Sequence, residues 1–260
     1  MQSVLETVHR LQLLSIPEYL NILQLKLDSR LQGFRANSPS FQGLDELLGE
    51  NWLGEVLINA RLDLLTVELN RTVPNLIRLL PCHFHLELIN SFDRRRPSAL
   101  LATLREEMLI NPPCLVAFLL NKNQCHWAAT VTALDMRTVF QGDSAGYDDE
   151  SKLTKMMQWW LGDVVAEDGV WVDRDLPVPR QDADSGSCGL AAVSAIVKLA
   201  RLIEDTLEGP IDTPRSMLWT NGMSFAVRCE WMQLLLRRHL SALGAQQVSR
   251  SYPVQIPCIY

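Results

Sequence analysis

The stretch Gln181-Asp182-Ala183-Asp184-Ser185-Gly186-Ser187-Cys188-Gly189 runs directly into an apolar segment that extends to Leu202. A polar turn followed by a run that is apolar nearly all round predicts a helix in the centre of the core, starting at Cys188. The start of a helix leaves backbone N–H groups unpaired and carries partial positive charge. Both effects favour negative charge on the sulfur, and the thiolate is the form that attacks carbon. Cys188 is therefore a candidate nucleophile, and the chain must supply a base for it.

The 260 residues contain five histidines: His9, His83, His85, His126 and His239. His126 stands out, because it opens a predicted hairpin. Cys114 to Leu120 reads as a buried strand, Asn121-Lys122-Asn123 as a turn, and Trp127 to Leu134 as a second strand. A short turn at Asp135-Met136-Arg137 then leads into Thr138 to Gln141, followed by Gly142-Asp143-Ser144. Antiparallel strands joined by a tight turn bring their far ends together. His126 and Asp143 occupy those ends, so the hairpin predicts an imidazole–carboxylate contact. Such a carboxylate fixes the imidazole tautomer and stabilises the imidazolium. That Cys188 meets His126 is not forced locally; it requires the core helix to begin beside the hairpin.

Around this centre the pattern is mixed, an α+β chain. Helices are expected at Trp52 to Val67, Ser98 to Met108, Lys152 to Leu161 and Ser224 to Leu240. Short strands are expected at Cys82 to Ile89 and at Val170 to Val172. Residues 1–37 read as helical and amphipathic, with Val4, Leu5, Val8, Leu11 and Leu14 at helical spacing, an interruption at Pro17, and a second run from Glu18 to Leu31. Gly33 to Gly43 reads as a loop. The expected organisation is a helical extension over residues 1–43 and a main domain over residues 44–260.

The apolar share of 47% supports a sizeable core. With a net charge of −6 and only a short Arg94-Arg95-Arg96 triplet, nucleic acid is not an expected partner. No apolar run is long enough for a membrane span, and the first residues lack a secretory pattern. Six scattered cysteines suit free thiols in a reducing compartment, so the expected location is intracellular, nucleus or cytoplasm.

Four motifs, in order, resemble the ubiquitin-like-protein-specific cysteine proteases, the Ulp/SENP peptidases that process SUMO and related modifiers. Trp52-Leu53-Gly54-Glu55-Val56-Leu57-Ile58 is similar to their Trp-Leu-x-Asp/Glu-x-x-Ile segment, His126-Trp127 to their His-Trp, Asp143-Ser144 to their Asp-Ser, and Ser187-Cys188-Gly189 to their Asp-Cys-Gly. The resemblance spans roughly Leu44 to Leu202. It implies a papain-like fold, a central mixed sheet with a buried helix starting at the nucleophile, and the triad order His126, Asp143, Cys188. It also implies an oxyanion hole made by the Cys188 N–H and a glutamine. Many members carry that glutamine six residues before the cysteine, where this chain has Asp182; Gln181, seven before, takes the role. Asp182 and Asp184 are expected to face solvent. Trp52 and Trp127 match the pair that clamps a Gly-Gly tail and admits only residues without side chains. The implied activity is hydrolysis of the peptide or isopeptide bond after the C-terminal glycine of a SUMO-type modifier or its conjugates, without a cofactor.

Three other readings stand beside it. His83, His85 and Glu87 would share a strand face and could bind zinc, although the opposite face, Cys82, Phe84, Leu86 and Leu88, also fits a half-buried strand with a solvated polar side. The chain could be a weakly active or inactive module that binds a modifier. A clan-related acetyltransferase would use the same Cys–His pair.

Overall fold

The structure is a computed structural model. It describes residues 2–15, 18, 22, 26, 28–34, 38–147, 152–165, 169–181, 186–206, 218–219 and 221–251. Its centre is a five-stranded mixed sheet: β1 (Ile77–Leu79), β2 (Leu115–Lys122), β3 (His126–Ala133), β4 (Thr138–Gly142) and β5 (Val172–Asp175), in that spatial order. β1 runs parallel to β2, β2 and β3 and then β3 and β4 are antiparallel, and β5 is parallel to β4. The fold class is α+β, as the sequence pattern predicts.

Both faces of the sheet are covered, which explains the nearly continuous apolar run of β2. Alternate residues Leu115, Ala117 and Leu119 enter one hydrophobic layer, and Val116, Phe118 and Leu120 enter the other. The first layer is closed by α1 (Gln2–Arg10), α2 (Glu55–Leu69), α6 (Cys188–Thr206) and α7 (Asn221–Ser251). The second is closed by α3 (Phe84–Asp93), α4 (Ala99–Ile110) and α5 (Leu153–Leu161). Val4 and Val8 of α1 are buried in the same layer as Leu44, Leu57 and Leu190. No helix among the described residues is long and apolar enough to cross a membrane.

Several elements differ from the sequence pattern. Cys82 to Ile89 is not a strand: α3 begins at Phe84, and Phe84 and Leu88, four apart, are buried while Leu86 is exposed. The apparent alternation is a helical face read with the wrong period. His83 and His85 then point to different sides of the helix axis, so the shared face needed for zinc does not exist. His83 instead faces Glu55, Nδ1 to Oε1 3.6 Å.

Trp52 and Leu53 precede α2 rather than open it. Gly54 takes the extended N-cap place, with its N–H held by Glu46 Oε2 at 2.7 Å. β5 starts at Val172 and runs to Asp175 with every residue exposed; an edge strand paired through its backbone needs no apolar run. α1 ends at Arg10 because the chain turns at Gln12, φ 51°. Half of the expected second run, Glu18 to Leu31, lies outside the described residues.

Candidate active site

The β3–β4 register pairs Ala129 with Gly142. Extending it by one places Asp143 opposite Ala128, with His126 two positions further along the same face. These are diagonal neighbours on one side of a hairpin, within reach of longer side chains. The contact is made: His126 Nε2 lies 2.7 Å from Asp143 Oδ1. The carboxylate is further fixed by the Ala145 N–H at 2.8 Å on Oδ1 and by Lys122 Nζ at 2.9 Å on Oδ2. Its side chain is 3% exposed. Gly142 lets this happen, since a Cβ there would stand 2.5 Å from the Leu176 carbonyl oxygen and 2.3 Å from Val178 Cγ2.

Cys188 is the first residue of α6, and the Ser187 carbonyl accepts the Ala191 N–H at 2.9 Å to open the helix. The start of α6 is pressed against the hairpin because Gly189 has no side chain. A Cβ there would meet Ile58 Cδ1 at 3.1 Å and Trp127 Cδ1 at 3.3 Å. Cys188 is thereby brought beside His126, near enough for its sulfur to raise the imidazole pKa. Since Nε2 serves Asp143, Nδ1 is the ring nitrogen left for the sulfur.

The electrostatics follow from these contacts. Burial lowers the His126 pKa, but the hydrogen bonds and charges of Asp143 and Cys188 outweigh it and raise the imidazole to about 9. At neutral pH His126 is therefore an imidazolium beside the sulfur. Burial raises the Asp143 carboxyl, but its bonds with His126, Lys122 and the Ala145 N–H prevail and hold it down at about 2. The arrangement is a carboxylate–imidazolium pair set against a buried cysteine, Cys188 being 2% exposed.

Gln181 lies on the two-residue strand β6 (Arg180–Gln181), its N–H on the Ser144 carbonyl at 3.1 Å and its Oε1 accepting from the Ser144 hydroxyl at 3.1 Å. Its carboxamide is tied to the residue after Asp143, with Nε2 on the opposite branch. Asp182 and Asp184 lie outside the described residues. Trp127 is 1% exposed and donates Nε1–H to the Leu53 carbonyl at 2.9 Å. Trp52 stacks on it with ring centroids 5.3 Å apart and planes 9° from parallel. The two rings touch, so in this structure no peptide passes between them.

Three neighbours of the site were not expected. Lys122 belongs to β2, paired opposite His126, rather than to a turn; the turn falls on Asn123 and Gln124, with φ 54° and 59°. Its four-residue spacing to His126 across a tight turn is the signal that could have found it. Tyr147 packs edge-on against His126, centroids 5.2 Å apart, and is 62% exposed. Arg228, from the C-terminal helix α7, reaches the turn before Cys188; no local pattern announces it. Among the described residues no group of three or more His, Cys, Asp or Glu is arranged to hold a metal ion.

No family model matches the sequence, and no curated protein matches it. The fold does match solved structures. The Ulp1-like SUMO protease catalytic domain of Chaetomium thermophilum superposes with a TM-score of 0.64 at 17% identity, over 87% of this chain and 91% of that one. The C-terminal Ulp1 protease domain, solved with Smt3, the yeast ortholog of SUMO, superposes at 0.56 with 15% identity, over 87% and 97%. A de-sumoylating protease superposes at 0.54 with 11% identity, over 88% and 98%. The fold is that of the Ulp1-like SUMO proteases.

Proposed function

We propose that the protein is a cysteine peptidase that hydrolyses the bond after the C-terminal glycine of a ubiquitin-like modifier, acting in the nucleus or cytoplasm. The observation that carries this reading is the chain Asp143–His126–Cys188, with its 2.7 Å His126–Asp143 contact, in a fold shared with SUMO proteases. The Cys188 thiolate attacks the carbonyl carbon of that glycine, and the electron pair of the C=O moves to oxygen. The Cys188 N–H and the Gln181 Nε2 stabilise the oxyanion. The tetrahedral intermediate collapses, the C–N bond breaks, and the His126 imidazolium gives its proton to the leaving amine. Neutral His126 then takes a proton from water, hydroxide attacks the thioester, the C–S bond breaks to return the Cys188 thiolate, and the modifier leaves as a carboxylic acid that gives its proton to solvent.

Trp52 and Trp127 form the roof over the tail-binding slot. Since the rings are in contact and Cys188 is 2% exposed, Trp52 must lift before a Gly-Gly tail reaches the sulfur. That closure is also the observation favouring a modifier-binding module with little turnover; titration with a modifier compared against turnover separates the two. Cys188→Ala is expected to abolish release of a fluorophore from a Gly-Gly-linked modifier. Unchanged release by this variant would end the peptidase reading.

A further inference from the structure

Arg228 is 1% exposed, and its guanidinium donates to three backbone carbonyls. Nη1 donates to the Glu46 carbonyl at 2.7 Å, and Nη2 donates to both the Asn51 carbonyl at 2.7 Å and the Gly186 carbonyl at 3.0 Å. Asn51 precedes Trp52, and Gly186 lies two residues before Cys188. One nitrogen thus bridges the roof segment and the nucleophile turn. Nε reaches the Ser224 hydroxyl at 3.4 Å, and Ser224 bonds Ser187, the residue next to the nucleophile, at 2.8 Å. Gly186 seats against the same segment: its N–H donates to the Glu50 carbonyl at 2.9 Å, and a Cβ there would stand 2.1 Å from that oxygen.

A buried arginine is costly unless its donors and charge are satisfied. Burial lowers the Arg228 pKa, while the charges of Cys188, Glu50 and Glu46 oppose that shift. The cation is held beside the turn that precedes Cys188 by three carbonyls, one of which belongs to that turn.

We propose that Arg228 is a positioning residue of the active site, fixing the turn that carries Cys188 to the segment that carries Trp52. Its effect on turnover rests on the peptidase reading; its effect on the turn does not.

The test uses the full chain with Arg228→Met and Arg228→Lys. Misplacing a nucleophile by a fraction of an ångström acts on the chemical step, so Arg228→Met should lower kcat about tenfold or more with KM within about threefold. Arg228→Lys, which can still bridge Asn51 and Gly186, should recover most of that loss. Independently of any substrate, exchange of the Gly186 amide hydrogen should accelerate about tenfold or more in Arg228→Met, while amides inside α6 stay protected. A lower melting temperature with unchanged kcat and uniform protection overturns the proposal. If Arg228→Met does not fold, Arg228→Gln decides, because its shorter carboxamide does not span Asn51 and Gly186: about a threefold faster Gly186 exchange supports the role, and a wild-type rate overturns it. A wild-type chain that cleaves no modifier, in which Arg228→Met still frees Gly186, sinks the peptidase reading and leaves the positioning role standing.

Discussion

The two halves of the candidate site are built in different ways. The base half, His126 with Asp143, is a hairpin: its residues lie 17 apart in sequence and one strand register sets their contact. The nucleophile half is assembled from the Gly186 turn, the Asn51–Trp52 segment and Arg228, which is 177 residues from Asn51 and 42 from Gly186. The base half is encoded locally and tuned by charge. The nucleophile half depends on long-range packing with no room for added atoms. Changes to the first should therefore move pH dependence, and changes to the second should move rate and stability.

The largest effect that breaks the base half is His126→Ala. Removing the group proposed to carry both proton transfers should cost about a thousandfold or more in kcat/KM, together with loss of labelling by a modifier carrying a C-terminal vinyl sulfone. Full labelling of that variant would remove His126 from the mechanism.

Asp143→Asn has the next largest expected effect. The hydrogen bond survives but the charge does not, and that charge is among the causes holding His126 at about 9. Activity in the native protein should fall as pH rises through about 9, because the imidazolium is lost. In Asp143→Asn the alkaline limb should move to lower pH. A limb that stays in place contradicts the assigned cause.

Paired glycine changes compare the halves directly. Gly142→Ala and Gly186→Ala each put a Cβ within 2.6 Å of a backbone carbonyl oxygen, that of Leu176 or Glu50. Each should destabilise the fold by about 1–3 kcal/mol in thermal or urea unfolding. Only Gly142→Ala, next to Asp143, should also shift the pH–rate profile; Gly186→Ala should lower kcat with the profile in place. The opposite pattern would show that the halves are not separable.

Lys122→Met gives the smallest effect. The lowered pKa of Asp143 stabilises the folded state above its ordinary value of 3.8, and that contribution is lost as pH falls through about 2. Without Lys122 the carboxyl titrates at higher pH, so acid unfolding followed by tryptophan fluorescence should begin at higher pH than in the native chain. An unchanged acid transition would mean that Lys122 does not hold Asp143.

The same contrast explains what the sequence made legible. Strand alternation, one tight turn and the position of two side chains were enough to place His126 against Asp143, because register is a local property. The apolar run after Cys188 revealed a core helix, but its meeting with the hairpin depends on Gly189 lying flat on Trp127, a contact 62 positions distant that no periodicity encodes. Arg228 was invisible for a stronger reason: an arginine within a helix reads as surface, and only the three-dimensional convergence of three carbonyls makes it core. The misread segment, Cys82 to Ile89, failed because two periods fit eight residues equally well; burial of Phe84 and Leu88 chose the helix. The resemblance to the Ulp/SENP peptidases anticipated the fold from four short motifs, while the contact between the Trp52 and Trp127 rings lay beyond what motifs state.

The most direct test is to incubate the protein with SUMO, ubiquitin and related modifiers, each ending in a vinyl sulfone, and to map the adducts by mass spectrometry. A covalent adduct with at least one modifier is expected, located on Cys188 and absent from both Cys188→Ala and His126→Ala. No adduct with any modifier, or an adduct on another cysteine, would contradict it.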